Sequence, residues 1–115
     1  MRVAVSWADW WPFGDVPEIA PGPLSRAVHM GEVQVLDVRS RPEFRRDHIR
    51  GAVHLPVWSC SPRQLQRLGL DRDRPVVVIC LSAHRSIPVV RRLRRMGFEA
   101  MQLKGGMRAW WRHQS

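Results

Sequence analysis

The sequence has no long hydrophobic run and only two cysteines. No window approaches the roughly 20 consecutive apolar residues that a membrane-spanning helix needs. Residues 1–15 contain neither a long apolar run nor a small-residue cleavage site, so we expect no signal peptide. A single bridge between Cys60 and Cys80 would not make a disulfide framework. We therefore expect free thiols in a cytoplasmic protein that has no membrane partner.

The chain is also nearly without lysine, although it is strongly basic. Lys104 is the only lysine among 19 lysines and arginines, and the formal net charge is +9. Such a charge attracts nucleic acid, an acidic protein or an anionic small molecule, but it does not predict a fold. The other interpretation is a solvated helix face, since Arg91, Arg92, Arg94 and Arg95 lie outside the apolar stripe of one predicted helix.

The remaining pattern predicts one α/β domain behind a short arm. Turn signals in residues 1–18 predict an irregular N-terminal arm, in which residues 3–7 are compatible with a short strand. From residue 19 to residue 115, β-branched runs alternate with amphipathic segments, which favours a mainly parallel sheet. Strands are predicted at residues 33–38, 52–57, 75–80 and 99–103, and helices at residues 23–32, 40–49, 61–70, 86–98 and 107–115.

Two serines have the features of helix N-caps. Ser40 stands three residues before Glu43, which is the spacing of a capping box, and Ser61 directly precedes another helical segment. Phe44 and His48 are four residues apart, so a helix there would place them on one face.

Cys80 ends the most apolar run of the chain, which is typical of a central strand covered on both faces. In open α/β sheets, ligand sites lie at the carboxyl ends of strands. The amides of the following loop and the N-terminus of the next helix stabilise a thiolate there. An inert core cysteine is the alternative for Cys80 taken alone. Arg85 changes this balance, because it adds a full charge and a forked donor suited to an oxyanion, and the pair favours a nucleophilic cysteine.

Three segments together resemble the rhodanese-like domain family. They are LDVRSRPEFRRDHIRGAVHLP at residues 36–56, VVVICLSAHRS at residues 76–86 and LKGGMRAWW at residues 103–111, in the family's order. The resemblance implies a single-domain rhodanese-like α/β fold with a five-stranded, mainly parallel sheet and helices on both faces. It also implies a sulfurtransferase, which moves a sulfane sulfur from a donor such as thiosulfate through a Cys80 persulfide to cyanide or a thiol acceptor.

The resemblance also implies a role for each matching residue. Cys80 is the implied nucleophile, while Asp37 and Arg39 support its loop from a neighbouring strand end. Glu43 and His48 are implied to be scaffold residues. The loop whose backbone amides surround the persulfide consists of Leu81, Ser82, Ala83, His84, Arg85 and Ser86.

The spacing between Cys80 and Arg85 distinguishes two chemistries on this fold. Four residues separate them here, whereas phosphatases of the cell-cycle type, which are similar in fold, have one residue more and a wider loop for phosphate. The shorter loop favours sulfur transfer. In the family the loop arginine organises the loop or binds the anion, and both roles stay open for Arg85.

Ala83 is the main departure from the family pattern, because family loops have glycine at this position. If the position needs a positive φ, alanine costs about 1 kcal/mol or more. His84 is also unusual, and it either acts on the thiolate and the donor or simply faces solvent. The departure at Ala83 and the basic charge motivate the alternative function, a non-catalytic rhodanese-like binding or regulatory module that docks a protein or RNA partner.

The implied partners are a small anionic sulfur donor and a protein sulfur acceptor, with no metal and no cofactor. The protein is expected to be a monomer or a homodimer. Cys60 either resolves an oxidised Cys80 as a disulfide or is a structural thiol. The aromatic residues of the arm either cover the core or form a patch for a partner; they are Trp7, Trp10, Trp11 and Phe13.

Overall fold

The computed structural model describes residues 15–114, which form a five-stranded parallel sheet and its helices. The strands are β1 (Glu18–Ile19), β2 (Gln34–Asp37), β3 (Val53–His54), β4 (Val76–Ile79) and β5 (Ala100–Leu103). The helices are α1 (Pro21–His29), α2 (Arg41–Arg46), α3 (Pro62–Arg67), α4 (Ser86–Arg95) and α5 (Gly106–Gln114). The strand order is β1-β5-β4-β2-β3, and all four neighbouring pairs are parallel. The α/β class and the five-stranded sheet are therefore confirmed.

The side chains of β4 alternate between two apolar layers. Val76, Val78 and Cys80 face the layer that α3 and α4 cover, together with Leu65 and Leu93. The alternate residues of β4, Val77 and Ile79, face the layer under α1 and α5, which contains Leu24 and Met107. Helices therefore cover both faces, as predicted, and all four residues of β4 are buried. None of the helices within residues 15–114 is long and apolar enough to cross a membrane.

The third strand is much shorter than the predicted segment 52–57. Only Val53 and His54 form β3, and a 3-10 helix follows at Val57–Ser59. Because β3 lies at the edge of the sheet, β2 is its one neighbour. The amides of Leu55 and Val57 still donate to the carbonyl oxygens of Asp37 and Val38, at 3.1 and 2.9 Å, so the chain stays beside β2 until the 3-10 helix begins.

The strand that brings the sheet to five is β1, which lies where the predicted arm, residues 1–18, meets the predicted domain, residues 19–115. β1 pairs with the edge of β5 through Glu18 and Gln102 and through Ile19 and Leu103. The strand considered at residues 3–7 and the aromatic residues of the arm lie outside the described residues. The division at residue 18 stays a prediction.

Gly106 lets α5 begin directly against the end of β4. The carbonyl oxygens of Cys80 and Leu81 accept hydrogen bonds from the amides of Met107, at 2.8 Å, and Arg108, at 3.1 Å. A Cβ atom on Gly106 would lie 2.5 Å from both carbonyl oxygens, and Gly106 has a φ of +62°. The glycine therefore sets how closely α5 approaches the backbone that carries Cys80.

We expect Gly106→Ala to lower the free energy of unfolding by roughly 2–4 kcal/mol, because it adds an overlap with backbone atoms to the cost of the positive φ. Gly51→Ala is the matched control, since Gly51 also has a positive φ, +83°, but nothing lies within 4 Å of its added Cβ. It should cost only about 1 kcal/mol. Urea unfolding measures both values. Equal losses in the two variants would contradict the close contact at Gly106.

Candidate active site

Cys80 lies directly after β4, at the carboxyl edge of the sheet, and its side chain is 1% exposed. The sulfur atom packs in the layer under α3 and α4. It lies 3.3 Å from the Oγ of Ser86, the first residue of α4, which is itself buried. The loop from Cys80 to Ser86 therefore closes on itself between the thiol and a hydroxyl group.

Ala83 is the only residue other than glycine with a positive φ among residues 15–114, at +68°. The folded chain therefore carries the conformational free-energy cost that a positive φ imposes on alanine. Such a turn directs neighbouring backbone N–H groups toward one side, as in anion-binding concavities. Among the described residues, no carbonyl oxygen accepts a backbone hydrogen bond from the amides of Leu81, Ser82 or Ala83.

His84 is the exposed residue of this loop, and Ser82 lies beside it. The Oγ of Ser82 and the Nδ1 of His84 are 3.2 Å apart, within hydrogen-bond distance. The imidazole is therefore bound to the loop on its exposed side. Its role in the reaction stays a prediction.

Arg85 is held by Glu43 in a two-point ion pair. Its Nη1 and Nη2 donate to the two carboxylate oxygens of Glu43 at 2.9 and 3.0 Å. Ser40 completes the site from the start of α2, since its backbone N and its Oγ both donate to Glu43 Oε1, at 2.9 and 2.8 Å. The hydrogen bond from Arg85 is the main reason why the pKa of Glu43 falls to about 2. Two of the five N–H donors of Arg85 thus hold the loop to α2, and the organising role of Arg85 stays a prediction.

Arg85 also responds to charge at Cys80. The hydrogen bond to Glu43 is the main cause that raises the pKa of Arg85, and negative charge on Cys80 and Asp37 adds to it.

Asp37 and Arg39 form a second, fully buried ion pair at the end of β2. Both residues are 1% exposed. Arg39 Nη2 donates to Asp37 Oδ2 at 2.7 Å and also to the carbonyl oxygen of Asp47 at 2.7 Å, while Arg39 Nε donates to both Asp37 oxygens. Since β2 lies beside β4 with Asp37 opposite Ile79, this pair lies at the edge of the sheet where β4 also ends.

Phe44 forms an aromatic stack next to this pair. Its ring centroid lies 3.8 Å from that of His48 and 4.5 Å from that of His54, with nearly parallel planes. One ring nitrogen of His54 lies 2.7 Å from the carbonyl oxygen of Arg39. α2 ends at Arg46, so His48 lies beyond the helix that was expected to carry both residues. The two rings are nevertheless stacked, and the stack joins α2 to β3.

Cys60 is a buried thiol in the same apolar layer as Cys80. Its Sγ lies 3.4 Å from the carbonyl oxygens of Leu55 and Pro56, and burial raises its pKa to about 12. It therefore stays protonated at neutral pH, which matches a structural thiol.

The prediction that Arg92 points outward is wrong. Arg92 is 2% exposed and donates to the carbonyl oxygen of Cys60 at 3.1 Å.

A cavity of about 560 Å³ opens beside the loop, on the side of α5. Trp111 lines it and donates from Nε1 to Asp47 Oδ2 at 2.7 Å. Leu81 contributes the loop side, whereas the Cys80 side chain points to the opposite layer. The other lining residues are Arg39, Glu43, Arg46 and Asp47.

Sequence reasoning missed two residues that connect to this site. Gln102 is 3% exposed in β5, and its Oε1 accepts a hydrogen bond from Ser86 Oγ at 2.5 Å. Its Nε2 donates to Glu18 Oε2 at 2.9 Å. The available signal was a glutamine in an otherwise apolar strand, because a buried amide needs partners.

A family model described as Rhodanese-like domain matches residues 20–113. Among curated proteins, the putative sulfurtransferase YtwF of Bacillus subtilis is 32% identical over 97 residues, which cover 84% of this chain and 91% of YtwF. A tRNA sulfurtransferase of Desulfurococcus amylolyticus is 38% identical over 77 residues, which are 67% of this chain. Those residues are only 14% of that longer protein.

A solved structure, the human single-domain sulfurtransferase TSTD1, has the same fold. Its TM-score is 0.73 at 25% sequence identity, and the match covers 88% of this chain and all of TSTD1. The described strands and helices therefore agree with those of a protein made of this domain alone.

The ion pair between Glu43 and Arg85 predicts a specific loss of stability in acid. The folded-state pKa of Glu43, about 2, lies below its ordinary value of 4.5, so the pair stabilises the fold above pH 4.5 and less as the pH falls toward 2. Because the pair is about one-third exposed, we expect a loss of about 1 kcal/mol between pH 6 and pH 3. Urea unfolding of wild type and Glu43→Gln measures it, and the variant should lack this part of the pH dependence. Glu32→Gln, at an exposed carboxyl group, should keep it; an unchanged pH dependence in Glu43→Gln would contradict the pairing.

Proposed function

Because this chain belongs to the family of rhodanese-like domains, we propose that it is a sulfurtransferase in which Cys80 carries the sulfur. The donor is a small anion with a sulfane sulfur, such as thiosulfate, and the acceptor is cyanide or a thiol. The observation that carries the proposal is the loop that closes between the Cys80 sulfur and the Ser86 hydroxyl group at 3.3 Å.

The proposed reaction has two substitutions at sulfur. Cys80 first loses its proton to water, and the thiolate attacks the outer sulfur of thiosulfate. The sulfur–sulfur bond of the donor breaks, and sulfite leaves with the electron pair. The acceptor then attacks the outer sulfur of the Cys80 persulfide, and the Cys80 thiolate leaves. No external oxidant or reductant is needed.

The charges around the loop support an anionic intermediate. The amides of the loop from Leu81 to Ser86 and the N-terminus of α4 place partial positive charge at the sulfur. Arg85 adds a full charge while Glu43 holds it in position. We assign Asp37 and Arg39 to the support of this loop from the end of β2.

The short loop also argues against phosphoryl chemistry. Only four residues lie between Cys80 and Arg85, so the loop is short. A phosphoryl group carries three oxygen atoms and needs a wider loop. A single sulfur atom attached to Cys80 needs far less space, which favours sulfur transfer.

The sulfur acceptor in the proposed reaction is also open to a protein or a tRNA. One relative is named a tRNA sulfurtransferase, and another is named a putative sulfur carrier protein. Both names fit an acceptor larger than cyanide. Both cysteines are free thiols in the structure, as a reducing compartment such as the cytoplasm requires.

Thiosulfate should load wild-type protein with one additional sulfur atom, and cyanide should remove it as thiocyanate. Cys80→Ser should lose both reactions because the attacking thiolate is gone. Intact-protein mass spectrometry before and after cyanide measures the loading.

Cys60→Ser is the matched control, because it makes the same chemical change at the other cysteine. Cys60 is 0% exposed and its pKa is raised to about 12, so this variant should load like wild type. Loading that persists in Cys80→Ser, or its absence in wild type with both thiosulfate and glutathione persulfide, would refute the proposal. The second result would favour the alternative, a non-catalytic binding module.

A further inference from the structure

A line of hydrogen bonds runs from the Cys80 sulfur to the surface of the protein. Ser86 Oγ lies 3.3 Å from the sulfur and donates to Gln102 Oε1 at 2.5 Å. Gln102 Nε2 then donates to Glu18 Oε2 at 2.9 Å. Ser86 and Gln102 are buried, whereas Glu18 is exposed at the edge strand β1.

The sheet register brings these groups together. Gln102 pairs with Glu18 on one side and with Val78 on the other. Its side chain reaches the layer under α4, which is the layer that Cys80 faces. Ser86 is the first residue of α4, and its hydroxyl group joins the side chain of Cys80, directly after β4, to that of Gln102 in β5.

The charge of Glu18 fixes the direction of every hydrogen bond in this line. An ionised carboxylate only accepts, so the amide of Gln102 must turn its NH₂ group toward Glu18 and its oxygen toward Ser86. A serine hydroxyl group has one hydrogen atom, and Ser86 uses it in the hydrogen bond to Gln102 Oε1. Ser86 therefore presents only lone pairs to Cys80, and the sulfur can bond to it only as an S–H donor.

We propose that Gln102 and Glu18 are positioning residues that act through Ser86 to hold resting Cys80 as a thiol. This inference rests on the proposed function, because it takes Cys80 as the nucleophile. To form the thiolate, the S–H proton leaves to water and the Ser86 hydroxyl group rotates its hydrogen from Gln102 to the sulfur. No covalent bond other than S–H breaks. Activation therefore exchanges one hydrogen bond for another.

Other charged or titratable groups near Cys80 stay the same in the variants proposed below. They are His84 and Arg85 of the loop, the latter with its partner Glu43, the Asp37–Arg39 pair at the end of β2, and Cys60 with Arg92 on the side of α3 and α4. Any change in the reactivity of Cys80 then comes from the line through Ser86.

The test is the rate at which iodoacetamide alkylates Cys80 in the full-length protein, followed from pH 5 to pH 9 by peptide mass spectrometry. Gln102→Leu removes the acceptor and frees the Ser86 hydrogen for the thiolate. We expect alkylation at pH 7 to rise roughly threefold to tenfold, the factor that one net hydrogen bond represents, and the whole profile to move to lower pH. Adding Ser86→Ala to this variant should abolish the gain.

Glu18→Gln tests the same idea from the surface, where a substitution does not disturb the core. Without the carboxylate, the Gln102 amide is free to turn its NH₂ group toward Ser86, and alkylation should rise in the same direction. If Gln102→Leu does not fold, this variant decides. Gln66→Leu, at an exposed position of α3, is the control and should behave like wild type.

Wild-type rates and pH profiles in Glu18→Gln and in folded Gln102→Leu would overturn the inference, and so would a gain that survives Ser86→Ala. Alkylation needs no sulfur donor, so it separates this inference from the proposed function. If the variants alkylate faster but wild type takes no sulfur from any donor, the sulfur-transfer proposal fails and the positioning role stands.

Discussion

The central position of β4 in a fully parallel sheet determines what can surround Cys80. Parallel strands end at one edge, so β2, β4 and β5 each deliver side chains to the same region. Both faces of β4 are covered, which places the sulfur in an apolar layer instead of on an open surface. The loop, the N-terminus of α4 and the contact at Gly106 are then the main sources of polar groups at this end of the strand.

Two ion pairs hold this edge in different ways. The Asp37–Arg39 pair is buried, so separating either partner would leave a charge without compensation, a cost of several kcal/mol in other proteins. The Glu43–Arg85 pair is partly exposed and contributes less to stability. Its value lies in geometry, because the two-point contact fixes the end of a loop that already contains the positive φ of Ala83.

Much of the fold could be predicted because its signals are local. The apolar run into Cys80 and the N-caps at Ser40 and Ser61 all act within a few residues of themselves. The length of β3 could not be predicted, because the turn from this edge segment into the 3-10 helix at Val57–Ser59 depends on its contacts with β2. The outward direction assigned to Arg92 failed for a similar reason. Periodicity places a residue on a helix face but does not say which neighbouring element covers that face.

The sequence by itself determined the α/β class, the family and the position of the cysteine at the end of a buried strand. Each depends on residues adjacent in the chain or on their order. Only the tertiary structure decided that Arg85 is bound to Glu43, 42 positions away, and that Gln102 joins Ser86 to Glu18, 84 positions from it. Such contacts depend on strand order and register. These follow from how the whole core packs, so no local pattern in the chain specifies them.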